Sequence, residues 1–233
     1  MRRLILLIAG LVSACAPVPL TRQPSDIVPG SRVDVAIRSF TEVSQTIGPR
    51  AVQACRARAK KVNCDFRIGV DPDPRAQANA YQSVDDQGRP VITFTAAMIL
   101  EAGNKDELAF VMSHEAAHHI LGHLDRQAEN AARGADEFVK LARRTGNTSK
   151  RELEYAKKLG AAVGAVEYSK EFELEADELG TVIAYGAGYD PLAGANFFAR
   201  LPDPGDKFFG SHPPNQERIA LVQATVTKLT RAQ

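Results

Sequence analysis

The sequence predicts an α+β protein, mainly helical, with a small antiparallel or mixed sheet beside the helix that carries His114 and His118. Three observations predict it. Apolar residues recur at helical spacing over long stretches, as in Val33, Ile37, Phe40 and Val43 or Leu108, Val111, Met112 and Ile120. Three short segments, 65–70, 79–84 and 90–95, alternate and are bounded by turn residues. Helical patterning then resumes without further strands. The chain has 233 residues, 44% hydrophobic and 24% charged, which suits a single core. A formal net charge of +1, with no basic stripe interleaved with aromatics, argues against nucleic acid as a partner.

Residues 1–14 read as a lipoprotein signal peptide. Arg2 and Arg3 precede an apolar run from Leu4 to Val12, nine residues and too short to span a bilayer. The run ends in Val12-Ser13-Ala14-Cys15, which resembles a bacterial lipobox, so Cys15 is expected to take the lipid; a plain secretory signal is the alternative. Residues 15–31, with Pro17, Pro19, Pro24 and Pro29, read as an extended tether, and 32–233 as the folded domain. Cys55 and Cys64 remain. In an oxidising compartment they can bridge; the alternative is two buried thiols.

From Arg32 to about Lys61 the helical spacing predicts two helices, broken at Gly48-Pro49. A strand is expected over Asp65–Val70, stopped by Asp71-Pro72-Asp73-Pro74. Strands over Asn79–Val84 and Pro90–Thr95 flank a turn at Asp85-Asp86-Gln87-Gly88. The next helix, capped by Asn104 or Asp106, is expected to run from about Lys105 past His123. A polar loop over 143–148 separates two helical stretches, and Lys150–Lys158 reads as a solvated face.

The chemistry lies in H-E-A-A-H-H-I-L-G-H, His114 to His123. His114 and His118 are four apart, so on a helix both imidazoles leave one face and can hold one metal ion. Glu115 follows the first His, where its carboxylate can take a proton from a water. A catalytic zinc needs three protein ligands and an open position. The candidate segment for the third is Glu171 to Gly180, in which Glu173 and Asp177 share a face, one to ligate and one to orient an imidazole. His119 is rotated about 100° from His118 and falls outside the metal set. His123, five beyond His118, also falls outside it, at an angle from which it can reach only the rim of the site.

These motifs, with Ala187 to Pro191 (A-G-Y-D-P), Ser211 to Pro214 (S-H-P-P) and Arg218, resemble the HtpX and CAAX-prenyl-protease type of zinc metallopeptidases, most closely the soluble periplasmic bacterial members. The resemblance covers roughly 33–222. It implies a zincin-like domain, zinc held by His114, His118 and Glu173, and Glu115 as catalytic base. Asp177 becomes the residue behind a ligand; Glu175 and Glu178 become exposed helix charges. His212, by composition a loop residue, is implied to act at the metal, closing the fourth position or helping the substrate. Residues 79–84 or 90–95 would supply an edge strand for an extended peptide.

The expected function is a zinc-dependent endopeptidase acting on unfolded or misassembled cell-envelope proteins. It would stand on the periplasmic side of a bacterial envelope, lipid-anchored at Cys15, and Ala16 favours the outer membrane. The alternative is a lipid-anchored assembly factor or chaperone with a latent or structural zinc site.

Overall fold

A computed structural model describes residues 30–59, 61–167, 169–201 and 213–231. The signal peptide, Cys15, most of the tether and His212 lie outside the described residues. Among the described residues no helix is long and apolar enough to cross a membrane.

Helix α1 (Arg32–Arg58) starts at Ser31, whose side chain accepts from the Asp34 amide. The expected break at Gly48-Pro49 does not occur; Pro49 sits inside one continuous helix. The reason is tertiary. Val43, Ile47, Ala51 and Cys55, spaced by four, form an unbroken stripe with no exposed surface. Each large apolar side chain in such a stripe gains about 1.5–3 kcal/mol on burial. Their sum exceeds the roughly 3 kcal/mol that an interior proline costs. At the helix end the Cys55 and Cys64 sulfurs are bonded, with Cα atoms 5.8 Å apart, which ties α1 to the segment leading into the sheet.

Strands β1 (Arg67–Asp71), β2 (Ala80–Val84) and β3 (Pro90–Thr95) form a mixed sheet in the order β1-β3-β2. β1 runs parallel to β3 and β2 antiparallel to it. Asp85 shapes the β2–β3 turn by accepting from the Gln87 and Arg89 amides, and Gly88 supplies the left-handed residue at φ 70°. Helix α2 (Ala96–Glu101) follows directly, capped by Thr95.

Helix α3 (Lys105–Ile120) is capped by Asn104, which accepts from the Glu107 amide. It is buried on several faces. Leu108, Met112 and Ala116 join α1 and β3 in the main core, while Phe110 meets Phe198 and Val222 in a second cluster. The helix stops earlier than the spacing predicts: Leu121 is its C-cap and Gly122 turns left-handed at φ 67°. Helix α4 (His123–Arg144) therefore starts at His123 in a new direction and pairs with α5 (Lys150–Glu167). Helix α6 (Ser169–Gly186) folds back across α3; α7 (Pro191–Ala195), a 3₁₀ turn (Phe198–Arg200) and α8 (Asn215–Arg231) close the second cluster.

Candidate metal centre

The site forms where α3 and α6 cross. Gly180 permits the approach, since a Cβ there would lie 3.0 Å from both Cα and N of His114. The crossing brings together His114, His118 and Glu173, whose candidate ligand atoms lie within 4.8 Å of one another. His114 Nε2 is 2.9 Å from His118 Nε2 and 3.6 Å from Glu173 Oε2, and His118 Nε2 is 3.4 Å from Glu173 Oε1. Zinc bonds of about 2.0–2.1 Å at tetrahedral angles separate ligand atoms by about 3.3 Å. The His–His distance lies below that value and the two His–Glu distances, to different oxygens of one carboxylate, lie just above it; two imidazoles with one carboxylate form a donor set that zinc takes.

Charge at the site points the same way. Burial pulls His114 down, but hydrogen bonds to Asp177 and Glu173, and their charges, more than offset it and push the imidazole up to about 10. The pocket thus calls for positive charge between the carboxylates, a demand a divalent cation meets. His114 Nδ1 lies 2.9 Å from Asp177 Oδ1, which leaves Nε2 to face Glu173. Asp177 has no exposed surface and receives Arg218 of α8 through Nε at 2.7 Å and Nη2 at 2.8 Å. Arg218 Nη2 also reaches Glu173 Oε2 at 3.4 Å, and its guanidinium lies 3.7 Å from the Phe198 ring centroid.

Glu115 stands beside the cluster. Burial and the Glu173 charge raise it to about 7, against His114, Arg218 and the Gln82 backbone, which pull it down. Clefts of 320 Å³ and 190 Å³ flank it, and both are lined by Glu115, His118 and Glu173. Strand β2 borders both, through Ala80 and Tyr81 in one and Gln82 in the other. Among the described residues β3 is paired on both sides, so β2 is the sheet edge beside the clefts.

His119 turns away, its Nε2 2.7 Å from the Asn63 carbonyl and its ring edge-on to Phe66. Glu178 is half exposed, 3.5 Å from Lys228 Nζ. Glu175 departs from expectation: it is not a free helix charge. Its Oε2 lies 2.9 Å from His123 Nε2 and 2.5 Å from Arg126 Nη1. His123 is 4% exposed, and its Nδ1 is 2.8 Å from His118 Nδ1. Burial and the nearby His118 outweigh Glu175 and hold His123 down at about 4. The turn at Gly122 makes this contact, and that glycine was the sequence signal for it. The role of Arg126 had no local signal.

The model of peptidase family M48 matches residues 42–226 of the chain. A beta-barrel assembly-enhancing protease of Yersinia pestis is 26% identical over 182 residues, which cover 75% of this chain and 35% of that protein. The protein of the same name in Escherichia coli strain K12 is 28% identical over 130 residues, 53% of this chain and 26% of that protein. A counterpart in Vibrio cholerae is 31% identical over 130 residues, 53% of this chain and 26% of its own length. The chain thus spans 26–35% of the length of these relatives.

Proposed function

The chain belongs to peptidase family M48, and from that premise we propose that it is a zinc-dependent endopeptidase acting on unfolded or misassembled cell-envelope proteins. One observation carries the reading: His114, His118 and Glu173 converge beside Glu115 at the junction of two clefts. The chemistry zinc supplies when bound is polarisation of the scissile carbonyl and acidification of a water toward neutrality. Glu115, half-buried beside the cluster and facing both clefts, accepts the proton of the attacking water and passes it to the leaving amide nitrogen. Asp177 holds His114, and Arg218 holds Asp177. The edge of β2 aligns an extended peptide by backbone pairing, which demands little of its sequence. His212 would help hold the metal or act on the substrate, so His212→Ala is expected to change activity and leave the metal in place.

The relatives' names join β-barrel assembly to proteolysis, and this favours substrates among envelope proteins in assembly. With a lipid on Cys15 the domain stands on the periplasmic side of the envelope, at the outer membrane. The word "assembly-enhancing" in those names also favours a second reading, an assembly factor with a latent or structural zinc site. Glu115 weighs against a purely structural metal, because such a site needs no base.

The test uses the full chain in detergent with unfolded casein. Cleavage that a zinc chelator stops and added zinc restores supports the peptidase. A zinc-loaded chain that leaves casein intact favours the second reading.

A further inference from the structure

The four nitrogens of His118 and His123 admit one arrangement of protons if His118 is to face a metal. His118 Nε2 points at Glu173 Oε1 and His114 Nε2, so its lone pair must lie there and its proton must sit on Nδ1. That Nδ1–H meets His123 Nδ1 at 2.8 Å, which must then accept. His123 is left with its proton on Nε2, which donates to Glu175 Oε2 at 2.9 Å. Each group has one role and none conflicts with its neighbour.

From this we infer that His123 and Glu175, fixed by Arg126, are positioning residues that present the Nε2 lone pair of His118 to the metal through a two-bond relay. The inference rests on the reading that His114, His118 and Glu173 hold zinc. The two ligand imidazoles are thereby oriented by different means. His114 has a carboxylate, Asp177, in direct contact, whereas His118 reaches Glu175 through a second imidazole.

The relay is a built structure. Its parts come in pairs one turn apart on two helices: His123 and Arg126 on α4, Phe172 and Glu175 on α6. The His123 ring stacks on Phe172 with centroids 4.7 Å apart and planes at 13°. The Arg126 guanidinium lies 4.2 Å from the same Phe172 centroid while it binds Glu175. The left-handed turn at Gly122 brings the first residue of α4 back against the last turns of α3. A straight helix through His123 would carry that ring about 140° around the axis from His118, out of reach of its Nδ1.

The test measures the zinc dissociation constant of the full chain in detergent by competition with a chromogenic chelator. His123→Phe keeps an aromatic ring for the stack and removes both nitrogens; it is expected to weaken zinc binding 10- to 100-fold. Glu175→Gln, which touches no ligand, is expected to weaken it several-fold, while Glu178→Gln on the same helix leaves it unchanged. Added to His123→Phe, Glu175→Gln is expected to have no further effect, because the relay is already cut. Parental affinity in His123→Phe, or an undiminished Glu175→Gln effect in that background, overturns the relay and leaves the metal reading standing. No zinc uptake by the parent chain sinks both.

Discussion

Arg218 closes a guanidinium fork on Asp177, with Nε 2.7 Å from Oδ2 and Nη2 2.8 Å from Oδ1. Arg218 is 5% exposed and Asp177 has no exposed surface, so the pair is a buried ion pair that joins α8 to the helix bearing Glu173. Removing one partner strands a charge away from water. Arg218→Ala is expected to destabilise the fold by about 3–5 kcal/mol. Arg218→Lys restores the charge but not the fork, and is expected to recover part of that loss. Urea denaturation checks both; an Arg218→Ala chain with the parental midpoint refutes the argument.

Glu115 and Glu173 face the same clefts but are assigned different work, and substitution separates them. Glu115→Gln is expected to keep zinc at the parental ratio and to lower casein cleavage by a factor of roughly 10² to 10⁴. Glu173→Ala removes a ligand and is expected to lose zinc and activity together. Metal analysis beside a cleavage assay decides. Full activity in Glu115→Gln removes that residue from the chemistry.

What was legible in the sequence was what spacing along one helix encodes. His114 with His118, and Glu173 with Asp177, are pairs four apart, and the pitch of a helix places each pair on one face without reference to the rest of the fold. Pro49 misled because its local rule was outweighed by the stripe from Val43 to Cys55, whose value depends on α3 and the sheet. Gly122 carried a correct local signal, but the apolar spacing around it suggested a helix continuing past His123. The grip of Arg126 on Glu175 joins residues 49 positions apart, and that of Arg218 on Asp177 residues 41 apart. No periodicity within one element reports such contacts, so Glu175 read as an ordinary helix charge.

Glu107 gives the fold a pH dependence of defined sign. Its side chain is 2% exposed and receives Arg200 Nη1 at 2.6 Å, Nη2 at 2.5 Å and the Gly103 amide at 2.7 Å. Burial raises its pKa, but Arg200 and Gly103 lower it more, so the carboxyl is held below its ordinary 4.5. A group depressed in the folded state contributes stability that is complete above the unfolded value and lost as pH falls through the folded one. The parent is therefore expected to be more stable than Glu107→Gln at pH 7, with the gap closing below about pH 4. Thermal unfolding across pH 7 to 3 checks it; a gap that is constant with pH contradicts the assignment.

Gly180 is where α6 lies against α3, and the metal site depends on that distance. An alanine Cβ would sit 3.0 Å from His114 Cα and N and 3.3 Å from the Ser113 carbonyl carbon. All three are backbone atoms of a buried helix, so relief requires the helices to move apart. Overpacking of this kind costs about 1–3 kcal/mol. Because both histidines ride on α3 and Glu173 on α6, the same displacement lengthens the distances from Glu173 to His114 and His118. Gly180→Ala is expected to lower the melting temperature and the zinc affinity together. At Gly186, on the same helix, a Cβ would meet nothing within 4 Å, so Gly186→Ala is expected to change neither for the worse. A Gly180→Ala chain that melts and binds zinc like the parent would mean that the crossing yields at no cost, and that the spacing of His114 from Glu173 is set elsewhere.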